Sequence, residues 1–239
     1  MKTKVFCLPY AGASKNIYYD WMKINSNKEF EFIPMEYKGH GSRYNEGFYD
    51  SFDDILQDLM NSICVDTKDE NYEYIILGHS LGALLAFHLC LKIENSNKIP
   101  PICIILSSSE PPRKLKNMDT NKNTILEKIY KMGHIPEAIY NNKEVYKIYS
   151  EIIYRDVLID YDCNMQYNSK KVMVPIIALY GQNDNSINPK IFKNWRNCTF
   201  SKCLIERCKG DHFFIFEKDF KIIHCIKTAL NYIYLTEEN

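Results

Sequence analysis

The stretch YIILGHSLGALLAF occupies residues Tyr74 to Phe87. Its first four residues are a continuous apolar run, as in a strand buried on both faces. From Leu81 onward the chain is apolar on every side, which suits a helix enclosed by its neighbours. Between the two stand His79 and Ser80, fenced by Gly78 and Gly82. The pattern is G-x-S-x-G between a strand and a helix. Such a turn bends sharply, with strained backbone angles, to aim the Ser80 hydroxyl out of the sheet. A Cβ at either fencing position would crowd the bend. The backbone N–H of Leu81 opens the helix, and the helix dipole behind it favours an oxyanion there. The competing reading is a tight turn with an incidental serine. The strand before it and the buried helix after it favour a nucleophile.

Working outward, short apolar runs alternate with helical patterns. Strands are expected at Val5–Leu8, Glu31–Met35, Tyr74–Leu77, Ile102–Leu106, Val174–Tyr180 and Cys203–Ile205. Ser51 and Asp54 give a capping-box-like start to a helix whose apolar face carries Phe52, Ile55, Leu56, Leu59, Met60 and Ile63. Phe220, Ile223, Ile226, Leu230 and Ile233 stripe a C-terminal helix. Near-continuous apolar strands separated by helices imply a mostly parallel sheet covered on both faces, a doubly wound α/β fold. We expect one domain over residues 1–239. Residues 111–171 break the alternation with helical patterns and no clear strand, and are expected to form a helical lid insertion. Ile125, Leu126, Ile129 and Tyr130 are expected to share one face, and Val145, Ile148, Tyr149 and Ile152 another.

Bulk composition narrows the class. The chain has 239 residues, with 30 Lys plus Arg balanced by 30 Asp plus Glu. Neutrality argues against nucleic acid or a membrane surface as the partner, since either would select a basic excess. The insertion carries eleven Lys or Arg and eight Asp or Glu. That excess reads equally as solvated helix faces or as a docking patch. Nine cysteines without a C-x-x-C pair suit a reduced, cytoplasmic protein. Cys208-Lys-Gly-Asp-His212 resembles half a zinc site, but no second half matches it. Lys2 and Lys4 precede an apolar run too short for a signal h-region, and no stretch reaches membrane-spanning length.

A serine nucleophile needs a base, and the base needs an orienting acid. In this type of fold they follow the serine as acid, then histidine. The six histidines are sorted by that order. His40 and His79 precede Ser80. His88 lies within the buried helix and reads as a packed core residue. His134 falls in the insertion, and His224 in the C-terminal helix. His212 alone sits in a loop after the last strand, in Gly210-Asp211-His212-Phe213-Phe214. Asp184 ends a late strand, whereas Asp211 adjoins the histidine and Asp156, Asp160 and Asp162 lie in the insertion. The candidate triad is therefore Ser80, Asp184 and His212. A second oxyanion donor belongs in the loop after the first strand, where small residues let the backbone approach a substrate. The N–H of Ala11 is the choice, with a plain strand-to-helix turn as the alternative.

These residues resemble a family. Leu8-Pro9-Tyr10-Ala11-Gly12-Ala13-Ser14, Trp21, Gly39-His40-Gly41-Ser42-Arg43, Gly78-His79-Ser80-Leu81-Gly82-Ala83, Ser107 to Pro112, Arg155-Asp156 and the His212 loop occur in the order found in stand-alone type II thioesterases. Those enzymes serve nonribosomal peptide and polyketide synthesis and belong to the α/β-hydrolase superfamily. The resemblance implies an α/β-hydrolase fold and a monomeric editing enzyme without metal or cofactor. It implies an acyl thioester on the phosphopantetheine arm of an acyl or peptidyl carrier protein as substrate. Two departures stand out. Ala13 replaces a usual glycine, and Tyr37-Lys38 stands where a proline usually precedes Gly39. A serine esterase on free small esters, a non-catalytic binding protein and a cyclase or acyltransferase are the rival readings.

Overall fold

Six short strands form one sheet in the computed structural model: β1 (Thr3–Leu8), β2 (Phe30–Pro34), β3 (Tyr74–His79), β4 (Cys103–Ser107), β5 (Ile176–Gly181) and β6 (Cys203–Cys208). The structure describes residues 2–24, 29–66, 73–114, 121–131, 137–166 and 169–234. Neighbouring strands are all parallel, in the order β2-β1-β3-β4-β5-β6. Strands β3 and β4 are buried at every residue, which is why their sequences read as unbroken apolar runs. Strand β6 extends three residues beyond the expected Ile205. It lies at the sheet edge, where exposed Glu206 and Arg207 end the apolar pattern.

Strand alternation divides the core into two layers. Phe6, Leu8, Ile76, Ile104, Leu106 and Ala178 face one side, and Val5, Cys7, Ile75, Leu77, Ile105 and Leu179 face the other. The helices, in chain order, are α1 (Tyr19–Lys23), α2 (Phe52–Asp66), α3 (Leu81–Glu94), α4 (Lys122–Lys131), α5 (Glu137–Tyr140), α6 (Lys143–Met165), α7 (Pro189–Phe192) and α8 (Ile222–Tyr234). Helices α2 and α3 cover the first layer, with Ile55, Leu59 and Ile63 of α2 at 1% exposure or less. Helices α1 and α8 cover the second, through Trp21 and through Ile222, Ile226, Ala229 and Ile233. Helix α3 lies between the sheet, α2 and α6, so it needs no polar face. Helix α2 starts as expected. The Ser51 hydroxyl accepts the Asp54 N–H at 3.2 Å and donates to the Asp54 carboxylate at 2.8 Å.

Between β4 and β5 the described residues form α4, α5 and α6, with non-helical chain before α4 and after α6. Helices α4 and α5 pack on α6, and α6 packs on α3. His134 lies outside the described residues. The expected apolar face of α6 is rotated. Val145 and Ile148 are 43% and 47% exposed, whereas Ser150, Ile153, Asp156, Cys163 and Asn164 are buried. Apolar spacing could not show this, because three of the five buried residues are polar and have partners. Tyr130 of α4 is likewise exposed, while Ile125 and Leu126 face inward.

The chain runs from β1 outward to β2, then returns past β1 to build β3 through β6. The direction of winding therefore reverses between β1 and β3. The crevice beyond the strand ends at such a point is where open α/β sheets bind ligands.

Candidate active site

Ser80 follows β3 and precedes α3 with φ 55° and ψ −116°. A non-glycine residue with positive φ is sterically costly and persists only where its surroundings enforce it. Here the Ser80 N–H donates to the Ser107 carbonyl at 2.8 Å, and its own carbonyl accepts the Ala83 N–H at 2.9 Å. The two glycines make the bend sterically possible. A Cβ on Gly78 would strike the Gly82 carbonyl, and a Cβ on Gly82 would strike the Leu8 carbonyl. The first obstacle lies within the bend and the second in the chain leaving β1, so Gly82 also lets β1 and α3 approach each other.

His212 follows β6. Its Nδ1 lies 2.8 Å from Asp184 Oδ2 and 3.1 Å from Ser186 Oγ. Asp184 follows β5 and is 8% exposed. Burial raises its carboxyl, but hydrogen bonds from His212 and Ser186 outweigh burial and hold it below the usual carboxylate range. The ionised Asp184 makes Nδ1 the protonated nitrogen of a neutral ring, which leaves the lone pair on Nε2. Ser186 completes the arrangement, its hydroxyl donating to Asp184 Oδ1 at 2.5 Å and its N–H to the same atom at 3.0 Å. The His212 carbonyl accepts the Ser108 hydroxyl at 2.9 Å, which ties the histidine loop to the end of β4. Asp211 instead uses its carboxylate on the Phe213 N–H, 2.8 Å away. The ring of His212 packs edge-on against Phe213 and His79, with centroids 5.0 and 5.2 Å apart.

Two cavities of about 290 Å³ each meet at this point. One is lined by Tyr10, Ala11, Leu81, Ile129, Ile153 and Val157, besides Ser80, His212 and Asp160. The other also contains Ser80, His212 and Asp160, and continues past Ser108, Glu110, Arg113, Asn164 and Ser186. The structure thus gathers Ser80, His212, Leu81 and Ala11 around one space and sets Asp184 against the histidine. The first branch is mostly apolar and the second mostly polar.

Sequence order gave no role to His40 or Asp156, yet they are bonded to each other. His40 Nε2 lies 2.9 Å from Asp156 Oδ2 on α6, and both residues are at most 3% exposed. The same Oδ2 accepts the Gly12 N–H at 2.6 Å. His40 Nδ1 faces the Lys38 carbonyl at 3.0 Å, so both ring nitrogens face acceptors and the surroundings favour the doubly protonated ring. Burial opposes that charge. Asp156 and the Lys38 carbonyl outweigh burial and keep the imidazole above its ordinary range. Gly12 itself has φ +80°, and a Cβ there would meet the Tyr149 hydroxyl of α6 at 2.8 Å. Asp160, also set aside with the insertion, lines both cavities. Among the described residues, no three His, Cys, Asp or Glu side chains could hold a metal ion together. All nine cysteines are free.

Residues 3–230 match the thioesterase domain family. The chain belongs to the thioesterase family. GrsT, the gramicidin S biosynthesis protein of Aneurinibacillus migulanus, is 26% identical over 231 residues, covering 93% of this chain and 86% of that protein. The medium-chain S-acyl fatty acid synthase thioesterase of Homo sapiens is 23% identical over 239 residues, covering 95% and 88%. The solved structure of ClbQ from the colibactin NRPS/PKS pathway superposes on this thioesterase with a TM-score of 0.81 at 24% identity, over 99% of this chain and 100% of that one. That likeness places the thioesterase in the α/β-hydrolase fold expected from its sequence. No described helix is long and apolar enough to cross a membrane.

Proposed function

We propose that this thioesterase is a type II editing enzyme of nonribosomal peptide or polyketide synthesis. Its substrate is an acyl group carried as a thioester on the phosphopantetheine arm of a carrier protein. The observation that carries the reading is the Asp184–His212 hydrogen bond at 2.8 Å beside a cavity shared by His212 and the strained Ser80. The names of the relatives support the pathway, since gramicidin S and colibactin enzymes are among them.

The chemistry follows from the positions. His212 Nε2 takes the Ser80 proton as Oγ bonds to the thioester carbonyl carbon. The N–H groups of Leu81 and Ala11 hold the resulting oxyanion, each worth about 3 kcal/mol in comparable sites. The C–S bond breaks, and the thiol leaves with the proton from His212. Water then gives a proton to His212 and attacks the acyl-serine. The ester bond breaks, Ser80 recovers its proton, and the free acid departs. Asp184 keeps the histidine in the required tautomer throughout. The apolar branch suits the acyl chain and the polar branch suits the pantetheine amides. Helices α4 and α6 of the insertion act as the lid, with Ile129, Ile153 and Val157 over the apolar branch. The reaction uses neither metal nor cofactor, and the enzyme works as a cytoplasmic monomer.

Mass spectrometry of an acylated carrier protein tests this reading. The wild-type chain strips the acyl group and Ser80→Ala does not. Equal stripping by the two would overturn it, and so would equal kcat/KM on acyl-carrier protein and on a simple ester.

A further inference from the structure

Asp160 differs from the other carboxylates around the site. Glu110 pairs with Arg113 at 2.9 Å and accepts the Asn188 N–H at 2.8 Å. Asp184 is held by His212 and Ser186, and Asp156 by His40 and Gly12. Among the described residues, no hydrogen bond or ion pair reaches the Asp160 side chain. Only its backbone carbonyl is engaged, by the Asn164 amide at 2.9 Å. Yet Asp160 lines both cavities, as Ser80 and His212 do. Among the described residues, Arg113 is the single Lys or Arg lining either cavity, and Glu110 occupies it.

An ionised carboxylate near a developing oxyanion opposes acyl transfer, because two negative charges then repel across one cavity. Burial pushes the Asp160 carboxyl up to about 6, which still leaves it mostly ionised at neutral pH. The charge is best matched by a cation on the acyl group itself. We propose that Asp160 is a specificity residue that favours acyl groups bearing an ammonium near the scissile carbonyl, as in aminoacyl thioesters, and disfavours acyl groups bearing a carboxylate. The proposal rests on the thioesterase reading of Ser80 and names the substrate class for it. An aminoacyl group would place its ammonium against Asp160 while its carbonyl meets Ser80 Oγ. A malonyl group would place a second carboxylate there.

Pantetheine thioesters of alanine, propionate and malonate separate the possibilities. The ammonium raises the intrinsic reactivity of its own carbonyl, so the diagnostic quantity is how the ratios change when the charge is removed. In Asp160→Asn the alanyl-to-propionyl ratio of kcat/KM is expected to fall at least tenfold relative to wild type. The malonyl-to-propionyl ratio is expected to rise at least tenfold. Asp160→Ser serves as a second variant, and fluorophosphonate labelling of Ser80 reports that each variant is folded. Ratios unchanged in both variants overturn this proposal alone. If the wild type cleaves none of the three and no acylated carrier protein, the thioesterase reading falls and takes the proposal with it.

Discussion

Asp156 binds Gly12 and His40 through one oxygen, at 2.6 and 2.9 Å. The helix above the site, the loop after β1 and the loop after β2 are thus joined at a single buried atom. Removing one partner of a buried ion pair leaves the other charge stranded and typically costs about 3–5 kcal/mol. Asp156→Ala is expected to lose stability on that scale in urea unfolding, and His40→Ala somewhat less. The double variant should be more stable than the sum of the two losses predicts, because neither charge is then left alone. Additive losses would show that the pair is not energetically coupled.

Asp184 and Ser186 test the orientation of His212. Asp184→Asn is expected to lower kcat roughly 10⁴-fold, the scale at which a triad loses the correct tautomer. Ser186→Ala removes a charge-assisted hydrogen bond of about 1.5 kcal/mol, so a roughly tenfold loss is expected. The stability that Asp184 supplies is present above the ordinary carboxylate range, since its folded value is depressed. It is lost as pH falls through that folded value. Steady-state kinetics of both variants, with melting curves between pH 3 and pH 6, check the two effects separately.

His88 gives a second pH signature. Its Nε2–H donates to the Cys163 carbonyl at 2.7 Å, and burial pushes its pKa down to about 4. The unfolded chain takes up a proton near the ordinary histidine value, whereas the fold resists it. The stability is therefore complete above about 6.5 and declines as pH falls toward about 4, by about 3 kcal/mol in all. His40 has the opposite sign. Its raised value means that its contribution is complete below the ordinary range and is lost as pH rises through the folded pKa. Urea unfolding of His88→Gln against wild type from pH 4 to pH 7 should show a difference that shrinks toward acid. A pH-independent difference would contradict the buried neutral ring.

How much of this was readable beforehand depends on whether the signal was local. Strands β3 and β4 announce themselves because every residue is buried, and Ser80 because its glycines are adjacent. Ser80, Leu81, Ala11, Asp184 and His212 all follow strand ends, and a parallel sheet brings such ends to one edge. Other features needed the third dimension. His40 was set aside by chain order, and its partner lies 116 residues away. Apolar spacing points to the wrong face of α6 because Ser150, Asp156 and Asn164 count as polar along the chain. The glycines on either side of His40 and the Arg155-Asp156 pair were the available signals, but each was incomplete without the other. The end of β6 is hidden in the sequence because an edge strand carries charge.

The backbone at Ser80, with φ 55°, has a consequence for durability. Conformations of this kind cost roughly 1–3 kcal/mol in a residue with a side chain. Glycine meets no such penalty, so Ser80→Gly is expected to melt at a higher temperature than the wild type. In the proposed reaction this bend is what presents the hydroxyl, so its strain sets exposure of one oxygen against the molecule's thermal margin.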